Sequence, residues 1–169
     1  ADEVLRLPAT RSMFSTAAQG GTLWLFGGAE VNTGNGLVRE TWQWKPASEE
    51  AAAVLPGAAI GTARRSFGGA TIGDKFYAVG GLGEKSSIVE SAAAFDLKTG
   101  KWAEIAAPKV PRVFPSLVPL NGKLYLAGGF ARVDGHFAPA ATVEVYDPAA
   151  NTWETLPGEF PLKGKQLLE

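Results

Sequence analysis

The chain contains no cysteine, which removes disulfides, thiolate metal sites and cysteine nucleophiles together. Its one histidine is His136, so this chain alone cannot assemble an ordinary transition-metal site, and no cofactor is expected. A Ser-His-Asp triad around His136 has no G-x-S-x-G context behind it. The glycine-rich segments 80–87 and 128–135 are not phosphate loops, because no Gly-Lys-Ser/Thr follows at the required spacing and no helix is expected after them. No apolar stretch approaches the roughly 20 residues that span a bilayer, so membrane insertion is not expected. Long runs of like charge are missing as well. Sixteen basic residues against 17 acidic ones leave a net charge of -1, which is not the basic footprint of a nucleic-acid binder. The chain begins at Ala1 rather than Met, as a mature exported protein cut after a small residue would, although a cloning or proteolytic product would look the same. The absence of cysteine is neutral on redox compartment; a periplasmic or secreted location is favoured over the cytoplasm.

What is abundant is turn and strand material. Twenty-one Gly and 11 Pro, with nine Phe, five Trp and three Tyr, suggest many short strands punctuated by turns. Only residues 48–55 have a helix-like composition, and their neighbours argue against a helix.

Comparing the sequence with itself is more informative. Three segments align without a gap, beginning at Arg11, Arg64 and Arg112, which gives periods of 53 and 48. Each arginine lies 13 positions before an aromatic residue, Trp24, Tyr77 or Tyr125. Each of these aromatics precedes a glycine pair, at Gly27-Gly28, Gly80-Gly81 or Gly128-Gly129. The second half of each unit repeats too, with an aromatic at Trp44, Phe95 or Tyr146. Seven residues further stand Trp102 and Trp153, whereas the first unit has Ala51 in that slot. Its outer strand is therefore expected to pack least well. Leu55-Pro56 and Leu156-Pro157 close the first and third units.

Each unit reads as four short strands. The first ends at a two-residue hairpin turn, Gly20-Gly21, Gly73-Asp74 or Asn121-Gly122. The second, at 22–26, 75–79 or 123–127, is almost continuously apolar, the pattern of a strand buried on both faces. The third ends at the spaced aromatic, and the fourth carries the tryptophan and ends at Leu-Pro or its equivalent. Pro115 and Pro119 are poorly tolerated inside a sheet and need an edge strand. The innermost strand of a blade, facing a central channel, supplies one.

These residues resemble the kelch repeat, whose marks are a glycine pair after an apolar strand and a spaced Tyr and Trp, in units of about 50 residues. The third unit, with Gly128-Gly129, Tyr146-Asp147 and Trp153, is the closest match; the first departs at Lys45 and Ala51. The resemblance implies an all-β, kelch-type β-propeller: three four-stranded antiparallel blades packed radially around a channel, about half of a six-bladed ring. The divisions are 11–63, 64–111 and 112–157, with 1–10 as the outer strand of a preceding blade or a lead-in and 158–169 as an extension. Three blades cannot close, so the expected partner is a second copy or the missing half of a longer parent.

In such blades the loops after each glycine pair open on the same face as the blade-to-blade junctions. That face would gather Arg11, Arg64 and Arg112 with Glu30, Asn32, Asn35, Lys85, Ser86, Arg132, Asp134 and His136. Variable loops on a rigid scaffold are where binding resides. An arginine ring would suit a carboxylate, a sugar acid or an acidic peptide; equally, a repeated arginine at a strand start can bond carbonyls of the fold. Two functions follow. One is a binding or scaffolding module offering its loops to a protein, peptide or glycan. The other is a cofactor-free, sugar-modifying propeller similar to the kelch-type sialic acid mutarotases, acting through the arginines with Glu30 and Asp134. Arginines bonded to backbone would favour the module.

Overall fold

The structure is a computed structural model and describes residues 9–30, 36–48 and 51–158. The segment preceding Ala9, Asn32, Asn35 and the extension beyond Gly158 lie outside the described residues. The protein is all-β. Three four-stranded antiparallel sheets follow one another along the chain. The first comprises β1 (Ser15–Gln19), β2 (Thr22–Phe26), β3 (Glu40–Trp44) and β4 (Ala53–Ala59). The second comprises β5 (Gly68–Ile72), β6 (Lys75–Val79), β7 (Ala92–Asp96) and β8 (Lys101–Ile105). The third is built from β9 (Ser116–Leu120), β10 (Lys123–Ala127), β13 (Glu144–Asp147) and β14 (Thr152–Thr155). A separate hairpin, β11 (Phe130–Val133) and β12 (His136–Pro139), rises between β10 and β13.

Strand order within each sheet follows the chain from inside to outside. The inner strands lie side by side, β1 against β5 and β5 against β9, and β4 meets β8 at the rim. This is the radial arrangement of a propeller. The first hairpins turn as the sequence indicates, with Gln19 opposite Thr22, Ile72 opposite Lys75 and Leu120 opposite Lys123. Both turn residues of the third, Asn121 and Gly122, have positive φ, 50° and 75°, which matches the right-handed twist of the strands. Pro119 sits in β9, which pairs only with β10. Its missing donor therefore costs no ladder bond.

Packing between blades explains the continuous apolar runs. In β6, Phe76, Tyr77, Ala78 and Val79 are all buried. Phe76 and Ala78 face the first blade, joining Trp24, Phe26, Ile60 and Phe95 in one cluster. Tyr77 and Val79 face the third, joining Leu117, Leu124, Leu126, Tyr146 and Trp153 in another. The first cluster is aromatic at its centre: Phe26 stacks on Phe76 at 4.0 Å, and Trp102 meets Phe26 edge-on at 5.5 Å. Its indole N–H donates to Thr41 Oγ1 of the first blade at 3.1 Å, so a polar tip is satisfied where an apolar body is buried.

Two elements depart from the sequence reading. The fourth strand of the first blade does not stop at Leu55-Pro56. It runs to Ala59, and the register shifts from Trp42↔Val54 to Glu40↔Ala59. Extra residues around Pro56 and Gly57 bulge outward there, with Gly57 at φ 72°. Past the bulge the strand returns to deliver Ala58 and Ile60 to the core. The segment 130–141, read as a loop, contains the hairpin β11–β12, with Arg132 opposite Phe137 and the turn at Asp134-Gly135. Both turn residues have positive φ, 49° and 81°.

Adjacent blades are joined by the same two backbone bonds. The Gly28 N–H donates to Arg64 C=O at 2.8 Å, and the Ser66 N–H to Met13 C=O at 3.0 Å. One blade further, Gly81 donates to Arg112 and Phe114 to Ser66, both at 2.9 Å. The first glycine of each pair makes room for this. A Cβ on Gly27 would lie 2.6 Å from the Arg64 carbonyl oxygen, and one on Gly80 would strike that of Arg112.

Candidate binding face

The three arginines lie inside the blades. Arg64 and Arg112 are 1% and 0% exposed and Arg11 is 8% exposed, so their guanidinium groups present almost no surface to a ligand. Arg64 donates to the carbonyls of Ser91 (2.8 Å) and Gly80 (3.3 Å), and to the Ser91 hydroxyl at 2.8 Å. Arg112 repeats this with the Thr142 carbonyl at 2.7 Å and its hydroxyl at 3.0 Å. Arg11 donates to the Leu25 and Glu40 carbonyls at 3.5 Å. Each arginine thus ties the entry of its blade to the second and third strands. Burial pushes Arg11 and Arg64 down to about 10, and the charges of Glu40 and Glu30 on Arg11, and of Glu104 on Arg64, oppose that.

The position facing each arginine differs among the blades. Trp42 pairs with Leu25, Ala93 with Ala78 and Glu144 with Leu126, so the three share one slot. In the first blade the Arg11 guanidinium sits 3.6 Å above the Trp42 ring. In the second the slot holds only Ala93, and Ser91 supplies the polar contact. In the third, Glu144 meets Arg112 at 2.8 Å, both fully buried. Burial lowers Arg112, and the Glu144 carboxylate opposes that. Glu144 also accepts the backbone N–H of Lys109 at 2.6 Å and of Val110 at 3.0 Å. A buried carboxylate therefore holds the junction entering the third blade.

That junction forms one wall of a groove. Lys109, Val110 and Pro111 face Lys85, Ser86, Ile88, Glu90 and Arg132 across a volume of ≈ 640 Å3. A neighbouring cleft of ≈ 500 Å3 between the first and second blades is lined by Arg39, Thr62, Glu84, Glu90 and Ser91. The loops after the glycine pairs and the junctions thus share a face. The larger groove is lined by three cations, Lys85, Lys109 and Arg132, and by one carboxylate, Glu90. Lys85 and Ser86 stand at a loop tip with φ 51° and 57°, left-handed conformations that disfavour side chains other than glycine. Arg132 is steadied from behind by Phe137, 5.6 Å from the guanidinium carbon to the ring centre.

Of the residues singled out from the sequence, Lys85, Ser86 and Arg132 come together in this groove. Asp134 and His136 are exposed at the hairpin tip. Glu30 is half-buried beside the first junction, where its N–H donates to Gly36 C=O at 3.1 Å. Sequence reasoning missed Lys109, Glu90, Ser91, Thr142 and Glu144. Glu144 carried a signal: a charged residue 32 positions after a repeated arginine, where the second unit has an alanine, Ala93. Among the described residues no group of three or more His, Asp or Glu could hold a metal ion, and no helix is long and apolar enough to cross a membrane.

Comparison with known proteins places this architecture. The family model described as Kelch motif matches residues 63–109 and 111–158. Kelch repeat and BTB domain-containing protein 13 of Homo sapiens is 41% identical over 88 residues, 51% of this chain and 18% of its own length. A putative F-box/kelch-repeat protein of Arabidopsis thaliana is 37% identical over 91 residues, 54% of this chain and 29% of its own. The chain thus spans less than a third of these curated relatives. The solved structure titled "Structure of YjhT" superimposes with a TM-score of 0.73 over 88% of this chain and 52% of that one, at 16% identity, a likeness of fold.

Proposed function

The chain belongs to the kelch-repeat family, and from that premise we propose that it is a protein-binding module, half of a six-bladed ring, whose groove takes an acidic segment of a partner. The observation that carries this reading is the convergence of Lys85, Lys109 and Arg132 on a groove of ≈ 640 Å3 between two blades. The three cations come from three separate elements, and the wall bearing Lys109 is held by the buried Arg112–Glu144 pair. A groove fixed by the fold loses little side-chain or loop entropy on binding. Charge complementarity there raises the association rate and selects the partner. Kelch relatives support a protein partner over a small molecule. The sugar-modifying alternative needs arginines that reach the channel, and the bonding of Arg64 and Arg112 to backbone carbonyls favours the module instead.

The test uses a fluorescently labelled Asp/Glu-rich peptide against the 169-residue chain. Saturable binding that weakens as salt rises is expected, with K85E/R132E losing at least roughly tenfold in affinity. Binding unchanged in that double variant, or none at low salt, overturns the reading.

A further inference from the structure

The groove between the second and third blades changes sign along its length. Its three cations, Lys85, Lys109 and Arg132, are exposed, stand on three separate segments and take part in no ion pair among the described residues. Against them stands a single carboxylate, Glu90, so the formal charge is three minus one, or +2. The cleft between the first and second blades continues this groove, because Ser87, Ile88 and Glu90 line both. There the balance reverses: Glu84 and Glu90 stand against Arg39 alone, one minus two, or -1. Neither carboxylate forms an ion pair among the described residues, and Arg39 is turned toward the fold, its Nε donating to the Ile60 carbonyl at 2.9 Å.

This reversal limits the shape of the anion. A run of Asp or Glu laid along both clefts would pass from an attractive stretch into a repulsive one, and like charges brought together cost affinity. A lone carboxylate among the three cations would offset only one charge of the two. A phosphate monoester carries about −1.5 to −2 charges near neutral pH and three acceptor oxygens on one atom, so it matches the positive stretch by itself. The donors suit it. Arg132 offers a planar guanidinium, the group that bonds phosphate bidentately, with Phe137 behind it at 5.6 Å. Lys85 and Lys109 supply point charges from opposite walls. Ser86 adds a hydroxyl with no hydrogen-bond partner among the described residues, whereas the Ser87 hydroxyl is engaged by the Glu84 carbonyl at 2.8 Å.

We propose that the groove takes a phosphorylated serine or threonine side chain of the protein partner, a compact dianion, in preference to a run of carboxylates. This rests on reading the groove as an acid-binding site and narrows the class of acid it takes. Glu84 and Glu90 set the boundary: they keep a long acidic tract out of the neighbouring cleft and so select charge concentrated on one group. Discrimination of this kind works by repelling the competitor as much as by attracting the ligand.

Fluorescence anisotropy with the 169-residue chain compares peptides of one sequence that carry phosphoserine, glutamate or serine at the same central position. At about pH 7.5 the phosphoserine peptide is expected to bind at least roughly tenfold more tightly than the glutamate peptide, with the serine peptide weakest. That advantage should shrink toward about pH 5, because the phosphate takes up a proton near pH 6 while glutamate stays ionised to about pH 4.3. Lys85, Lys109, Arg132, Glu84 and Glu90 face the phosphate and His136 stands on the adjoining hairpin; the glutamate peptide reports any titration on the protein's side. K109A removes a cation and keeps the backbone bond to Glu144, and should abolish most of the advantage. E84Q/E90Q, at two exposed positions, should strengthen an Asp/Glu-rich peptide more than the phosphoserine one. Equal affinity for the phosphoserine and glutamate peptides, or an advantage undiminished at acid pH, overturns the phosphate assignment and leaves the acid-binding groove standing. If no peptide binds, the Asp/Glu-rich one included, both readings fail. Full displacement of the phosphoserine peptide by micromolar inorganic phosphate would point to a small-molecule anion site and also overturn the proposal.

Discussion

Trp42, Ala93 and Glu144 solve one problem three ways. Each blade buries an arginine, and a buried guanidinium needs acceptors or an aromatic face to offset its desolvation. The first blade stacks it on an indole, the second relies on carbonyls and Ser91, and the third adds a carboxylate. The third solution is the most exposed to mutation, because Glu144 has four purposes at once: Arg112, Lys109, Val110 and the groove wall. Removing one partner of a buried ion pair leaves the other uncompensated. Glu144→Ala is therefore expected to destabilise the fold by about 3–5 kcal/mol, measured by urea unfolding. A loss below about 1 kcal/mol, the value of an exposed pair, would show that the pair is solvated.

At the level of elements, the outer hairpins depend on turn carboxylates. Asp96 accepts the backbone N–H of Lys98 and Thr99, and Asp147 those of Ala149 and Ala150. The Thr99 N–H holds Asp96 below the ordinary carboxylate value of 3.8, and Lys123 does the same for Asp147. Across the first turn of the second blade, Asp74 lies 2.5 Å from Lys98, which lowers Asp74 as well. A depressed folded value means that the unfolded chain binds protons first. The stabilisation is complete above the unfolded value and is lost as pH falls through the folded one. The urea midpoint should therefore hold steady down to about pH 5 and decline below about pH 4, with Asp96→Asn flattening the decline. A midpoint constant to strongly acidic pH would refute this. Most hairpins were legible because Gly-Gly, Gly-Asp and Asn-Gly between apolar runs admit few other structures. The same logic applied to Asp134-Gly135, between Phe130–Val133 and His136–Pro139, would have revealed β11–β12; the hairpin is an insertion in the third unit with no counterpart in the repeat. The bulge at Pro56-Gly57 was harder, since its register is set by Ala58 and Ile60 reaching the neighbouring blade.

At the level of the whole molecule, the middle blade alone among the described residues packs against a neighbouring blade on both sides. In the unassociated chain hydrogen exchange should be slowest at the β6 and β7 amides, between the two apolar clusters, and fastest in β4 and the β11–β12 hairpin; protection spread evenly over the three blades of a chain shown to be monomeric would contradict this. The architecture could be read from the sequence because the repeat imposes it: an arginine, an aromatic and a glycine pair in fixed register three times over. The groove could not, since Lys85, Lys109 and Arg132 lie on segments of unequal length whose meeting depends on the angle between blades. The joint has a different kind of generality. Its bonds run between main-chain atoms, from a glycine amide to a carbonyl, and no side chain acts as an address. Any unit that opens with the same backbone bend can follow any other, so neighbours are interchangeable as far as this seam is concerned. Lineages can then add, delete or permute whole units without rewriting the contact between them.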